Sequence, residues 1–204
     1  MNVVTRLETV NTRTKVYING EIAFMLYKGE LKKFHITEGE VIKKETFGEL
    51  MSLLYNRAKE RALYLLDQSY KTEKEIRDKL KSGFYPEVII EKVIAFLKEY
   101  NLINDLRYAG MYIDYKKQSK SKKQIVQDLY KKGISKYILD IAFEESGFSD
   151  MDSLEQLIKK RSHKYDFDDY KSVSKLYQYL VGKGYQYSDV KSAIQKYSKS
   201  IDLD

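Results

Sequence analysis

The sequence predicts a mainly α-helical chain: a tandem array of three degenerate three-helix repeats preceded by a small N-terminal antiparallel β-hairpin or sheet. Three observations predict it. From Thr46 onward, apolar residues recur every three or four positions, the spacing that gathers them on one helix face. Gly83, Gly133 and Gly184 each follow a short amphipathic stretch and stand 50 and 51 residues apart, as in stacked units that bury their faces partly against neighbours. The chain of 204 residues holds a single proline, so little in it breaks a helix.

The elements follow in order. Lys15–Ile18 and Ile22–Leu26 flank Asn19-Gly20, and Asn-Gly between β-prone runs is the strongest short hairpin signal. A second turn at Lys28-Gly29-Glu30 leads into Leu31–Ile36, expected as a further strand containing His35. Thr46 and Glu49 have capping-box spacing ahead of Leu50, Leu54, Ala58, Ala62, Leu65 and Leu66, which predicts a long helix. Thr72 and Glu75 repeat that box before a short helix carrying Ile76 and Leu80. Pro86 suits the first turn of the next helix, lined by Ile89, Ile90, Val93, Ile94 and Leu97. Ile125 and Leu129 lead to Gly133, and Leu176 and Leu180 to Gly184; each glycine is expected as a left-handed helix C-cap. Ser135 and Ser188 are expected to cap the helices that follow, Ile138–Ala142 and Val190–Ile194. In the first unit the leucine-to-glycine spacing is one residue shorter. The expected divisions are 1–45 (β-hairpin region), 46–103, 104–150 and 151–204 (repeats one to three).

Composition narrows the function classes. There is no cysteine, which removes disulfides and thiolate metal sites. The first ten residues carry Arg6 and Glu8 and no apolar run, so they do not read as a signal peptide, and no stretch approaches the roughly 20 apolar residues of a membrane span. A cytoplasmic protein without membrane attachment is expected. The formal net charge is +7, and all of it sits in one window: Tyr115–Lys136 holds eight lysines and one acid, Asp128. A charge so concentrated makes a local field suited to phosphate backbones or an acidic protein surface.

The candidate partner-binding residues are therefore Lys116, Lys117, Lys120, Lys122, Lys123, Lys131, Lys132 and Tyr115. Ser121 and Gln124 suggest another capping box, so the loop Lys116–Lys120 would lie beside helix N-terminal amides that attract anions. Tyr112, Tyr115, Tyr130 and Tyr137 are interleaved with the lysines, and aromatics beside cations serve single-stranded nucleic acid binding. The plainer alternative is a solvated lysine-rich face. Most of the 19 tyrosines are expected in the core with hydroxyls at the surface. Asn104-Asp105-Leu106-Arg107 is expected to cap a helix. His35 and His163 lack metal-ligand spacing, Gly182-Lys183-Gly184 is a helix end rather than a phosphate loop, and Asp168-Asp169 reads as solvated charge or an N-cap. No nucleophile–base constellation is visible, so neither enzyme activity nor a cofactor or metal is expected.

Arg61-Ala-Leu-Tyr-Leu-Leu66, Thr72–Arg77, Leu80 and Gly83 resemble the first repeat of the RecX family. Leu102-Ile-Asn-Asp-Leu-Arg-Tyr-Ala109, Tyr112-Ile113 and Leu129–Ile134 resemble its second. The likeness runs from Arg57 to near Tyr197. It implies a monomeric, non-enzymatic modulator of the RecA recombinase in recombination, DNA repair and the SOS response. Such a protein lodges in the groove of the RecA–single-stranded-DNA filament, mostly restrains ATP hydrolysis and strand exchange, and binds single-stranded DNA directly or within the filament. A nucleic-acid-binding helical array with no RecA target fits the same residues, and a hydrolase or transferase ranks last.

Overall fold

The computed structural model describes residues 2–201 and divides into two compact units, one ending at Asn104 and the other beginning at Asp105. The first unit opens with an antiparallel meander, β1 (Val4–Val10), β2 (Arg13–Ile18) and β3 (Glu21–Tyr27), in that spatial order. Asn19 and Gly20 both take positive φ (52° and 92°) and join Ile18 to its partner Glu21, as a two-residue hairpin turn requires. Val4, Val16, Phe24 and Leu26 point from the sheet into the core. Strand β1 precedes the hairpin that Asn19-Gly20 marks and lies within the expected β region 1–45.

The strand expected at Leu31–Ile36 is absent; Lys28–Lys33 forms a short helix, α1. The physical reason lies at Tyr27, whose backbone N–H donates to the Glu30 carboxylate (2.7 Å), while Glu30 is also paired with Arg57. That cap closes a helical turn and drops Phe34 and Ile36 into the core, and His35 follows the helix at φ 50°.

Helix α2 (Lys44–Gln68) starts earlier than expected, with extended Lys43 at its N-cap; Thr46 lies inside the helix and caps nothing. Buried Ile42, held by its N–H to the Asn2 carbonyl (2.9 Å), fixes the chain just before this start. Leu50, Leu54, Ala58, Ala62 and Leu65 are buried along one stripe, with Leu66 partly buried beside it. Each leucine so buried stabilises the unit by about 1.5–3 kcal/mol before entropy is counted. Thr72 caps α3 (Glu73–Ser82) with the full reciprocal box: its hydroxyl accepts from the Glu75 N–H (3.2 Å) and the Glu75 carboxylate accepts from the Thr72 N–H (3.0 Å). Pro86 is the N-cap of α4 (Glu87–Glu99), one position before its expected place. Arg77 bridges α3 to α4, bonding Glu73 (2.8 Å) and gripping both oxygens of Glu91 (2.5 and 2.9 Å).

The second unit contains α5 (Asp105–Lys116), α6 (Lys122–Lys131) and α7 (Lys136–Ser146) around one core, and α8 (Asp150–Arg161), α9 (Tyr170–Gly182) and α10 (Tyr187–Ile201) around another. A single 3-10 turn at Ser162–Lys164 follows α8. Ser135 and Asp169 cap α7 and α9 through their side chains. Ser188 does not cap α10, which begins at Tyr187; its hydroxyl instead donates to Asp189 (3.2 Å).

The shorter leucine-to-glycine spacing of the first unit has a structural answer. Gly133 and Gly184 take left-handed φ (87° and 91°), but Gly83 does not (−84°). The left-handed residue there is Phe84 (59°), four beyond Leu80, as Gly133 is four beyond Leu129 and Gly184 four beyond Leu180. In all three turns the next residue donates its N–H back to that leucine carbonyl: Tyr85, Ile134 and Tyr185, at 3.3, 3.0 and 3.4 Å. The repeat is therefore regular in backbone even where its glycine has slipped.

Candidate nucleic-acid interface

The lysine window is built on the end of α5, the loop after it, and α6. Helix α6 turns Ile125 and Leu129 into the core, which leaves Lys123, Gln127 and Lys131 stacked at four-residue spacing on the opposite, exposed face. Lys123 lays its stem beside Gly184. Lys122 and Lys132 lie on the two flanks: Lys122 sits 4.8 Å from the Phe143 ring centre and Lys132 5.4 Å from that of Tyr108. Lys116 lies 4.2 Å from the ring centre of Tyr115, which is 76% exposed, and Lys117 pairs with Asp114 at 2.8 Å.

Lys120 is differently placed. It forms an ion pair with Asp128, which also accepts from the Tyr112 hydroxyl (2.8 Å). Burial pushes the Asp128 carboxyl up, but the bonds from Lys120 and Tyr112 outweigh it and hold the group below the usual carboxylate range. The same bond from Asp128 raises Lys120, and burial with the Asp128 hydrogen bond raises Tyr112. The window thus divides between outward lysines (Lys123 and Lys131), lysines beside rings (Lys116, Lys122 and Lys132), and two paired with acids, Lys117 with Asp114 at the surface and Lys120 with Asp128.

The N-terminus of α6 is not an open anion site. Ser121 accepts from the Gln124 N–H (3.3 Å), as a cap should, yet the Gln124 carboxamide does not complete the box and its oxygen is buried without a hydrogen-bond partner among the described residues. The Lys122 N–H donates to the Asp150 carboxylate (2.7 Å), so an acid from α8 occupies the place expected for a bound anion. The Ser121 hydroxyl also donates to the Lys183 carbonyl (2.7 Å), and Ser153 donates to the Lys120 carbonyl (3.0 Å) and bonds the buried Tyr185 hydroxyl (2.8 Å). No local pattern announces Asp150, Ser153 or Lys183, because their partners are 28 to 62 residues away.

The tyrosines depart from expectation. Tyr27, Tyr64, Tyr70, Tyr100, Tyr115, Tyr130, Tyr137, Tyr170 and Tyr187 are exposed, nine of the 19, and only Tyr185 is fully buried. The cores are filled mainly by Leu, Ile, Val and Ala with a few Phe, so most tyrosine rings are displaced to helix flanks. Tyr177 and Tyr179 both lie half-buried: the Tyr177 hydroxyl reaches the Tyr187 carbonyl (2.8 Å), and Arg161 sits 4.2 Å from the Tyr179 ring centre. Among the described residues no group of three His, Cys, Asp or Glu could hold a metal, and no helix is long and apolar enough to cross a membrane.

Three family models match the chain in order: the first three-helix domain of RecX over residues 58–97, the second over 104–142 and the third over 149–194. The regulatory protein RecX of Clostridium beijerinckii is 36% identical, over 94% of this chain and 92% of its own. The chain belongs to the RecX family. The RecX protein of Clostridium perfringens strain 13 is 34% identical over 90% of this chain and 89% of its own. The crystal structure of RecX from Lactobacillus salivarius superposes with a TM-score of 0.64 at 29% identity, covering 75% of this chain and 99% of that one. Within the RecX frame, α2–α4, α5–α7 and α8–α10 are the three successive three-helix elements, and the candidate lysines fall in the second.

Proposed function

We propose that this chain regulates RecA by binding the RecA–single-stranded-DNA filament, slowing its ATP hydrolysis and strand exchange, and that it catalyses no reaction itself. The observation that carries the reading is the match of all three helical units, in order, to regulatory proteins of the RecX family. The outward lysines of α6 and the Lys116–Tyr115 pair at the end of α5 support it. Cations there favour a polyanionic filament, speed encounter and make binding salt-sensitive. The protein is expected to act as a cytoplasmic monomer, with the repeat boundaries near 46, 104 and 151.

The test is a titration of RecA ATPase on single-stranded DNA at two salt concentrations. Inhibition should appear at substoichiometric protein and weaken at the higher salt. Replacing Lys117, Lys123 and Lys131 together by glutamate should abolish it without unfolding the chain. Lys120 is left alone because its ion pair with Asp128 is structural. Inhibition that survives the triple change removes these lysines from the interface. A wild-type chain that binds single-stranded DNA and leaves RecA untouched would replace the reading with that of a plain nucleic-acid-binding array.

A further inference from the structure

The first unit contains a second cationic concavity, formed where β2, β3, α2 and the α3–α4 turn meet. It has a volume of about 630 Å³, and its lining includes Arg13, Tyr27, Arg57, Glu60, Arg61, Lys79 and Tyr85. That size is within the usual range for a small-molecule or nucleotide site.

Its charges are not balanced from within. Arg57 is answered by Glu30 and lies 4.8 Å from the Tyr27 ring centre. The half-buried side chain of Arg13 has no hydrogen-bond or ion-pair partner among the described residues, and neither has that of Lys79. Arg61 only rests over the Tyr64 ring at 5.5 Å. Against these three cations stands Glu60 alone, so the cavity keeps an excess of two positive charges. A half-buried guanidinium without a counter-anion is costly unless something supplies one.

The remaining lining tells what kind of anion fits. Tyr85 is half-buried, and its hydroxyl has no partner among the described residues, which leaves it free to donate. Arg13, Arg57 and Arg61 line the same cavity as this phenol; burial raises its pKa while their charges pull it back. Tyr27, 44% exposed with Arg57 over its ring, adds aromatic surface to the lining. Guanidinium forks match phosphate oxygens in pairs, and an aromatic beside them accepts a stacked base. An acidic peptide would use the cations and leave the rings idle.

We infer that this cavity binds a phosphodiester of single-stranded nucleic acid, with Arg13, Arg61 and Lys79 on the phosphate and Tyr27 against an adjacent base. This site is separate from the lysine window and does not depend on the RecA reading.

The test uses the full chain and a fluorescent oligothymidylate, without RecA, so that its failure leaves the proposed regulation standing. Arg13→Gln with Arg61→Gln should weaken binding about tenfold at low salt. Two lost phosphate contacts should also flatten the slope of log K against log salt by about 1.4, since each contact to a single strand contributes about 0.7. Unchanged affinity and slope would overturn the inference. So would a loss confined to a glutamate-rich peptide, which would mark the cavity as a protein-docking site. Thermal melting checks that the variants fold. Should the double variant fail to, Lys79→Gln, at an exposed helix position, must lower the slope by about 0.7 or the inference falls.

Discussion

At Gly184 two separate physical demands converge on one residue. Its φ of +91° is a region where a side chain costs about 1–2 kcal/mol, and a Cβ there would stand 3.1 Å from the Ser121 hydroxyl and 3.2 Å from the Lys123 stem. Gly184→Ala should therefore destabilise the second unit by at least ~1–2 kcal/mol, read as a lower urea midpoint. Gly182→Ala, two residues earlier at the end of α9 with open space around it, should be neutral or stabilising by up to ~1 kcal/mol. Equal losses at both positions would show that general helix disturbance, not backbone handedness, sets the cost. The contrast also shows what single residues revealed in advance. Thr72-x-x-Glu75 is a closed local circuit and was legible as such. Gly83 was not, because the turn counts from the buried leucine rather than from the glycine, and Phe84 bears the strained angle.

The element scale is where local signals competed. Leu31–Ile36 has strand-like texture, but one capping carboxylate on Glu30, shared with Arg57 on α2, makes Lys28–Lys33 a helix. Asp128 plays a comparable part for α6, holding Lys120 and Tyr112 to one carboxylate. Its folded pKa lies below the ordinary 3.8, so its contribution is present above that value and is lost as pH falls through the depressed one. Lys120 and Tyr112 are raised, so their contributions persist up to their ordinary values near 10.5 and 10 and fade as pH rises beyond them. Asp128→Asn should thus be less stable than the parent at pH 7, and the gap should narrow toward pH 3, by urea unfolding at each pH. A gap that stays constant on acidification would mean that the carboxylate's charge is immaterial. From sequence alone Lys120 was one lysine among eight; only the approach of α5 to α6 distinguishes it.

For the molecule as a whole, periodicity carried the furthest. Three leucine-centred turns at near-constant spacing sufficed to expect three helical repeats, since each repeat is written in local contacts. What spacing could not convey is how the chain partitions: the first repeat shares one core with the β-meander, whereas the other two form a unit with cores of their own. Fragments 1–104 and 105–204, each about 100 residues, should accordingly fold separately, each with a single cooperative urea transition of slope about 1–3 kcal/mol/M. A fragment lacking a cooperative transition would show that its core needs the other half. The cationic cavity of the first unit was likewise hidden from sequence, because Arg13, Arg61 and Lys79 are dispersed over 66 residues and make no run.

The bonds that tie α6 to the last three helices have a consequence for how such a protein can be shortened. The Lys120 carbonyl, the Ser121 hydroxyl and the Lys122 amide all find their mates beyond residue 149. A gene ending after α7 would encode a protein whose basic segment is anchored on one side only. Loss of the terminal repeat would therefore be felt in the middle one, and these two modules cannot be parted without disturbing the one left behind.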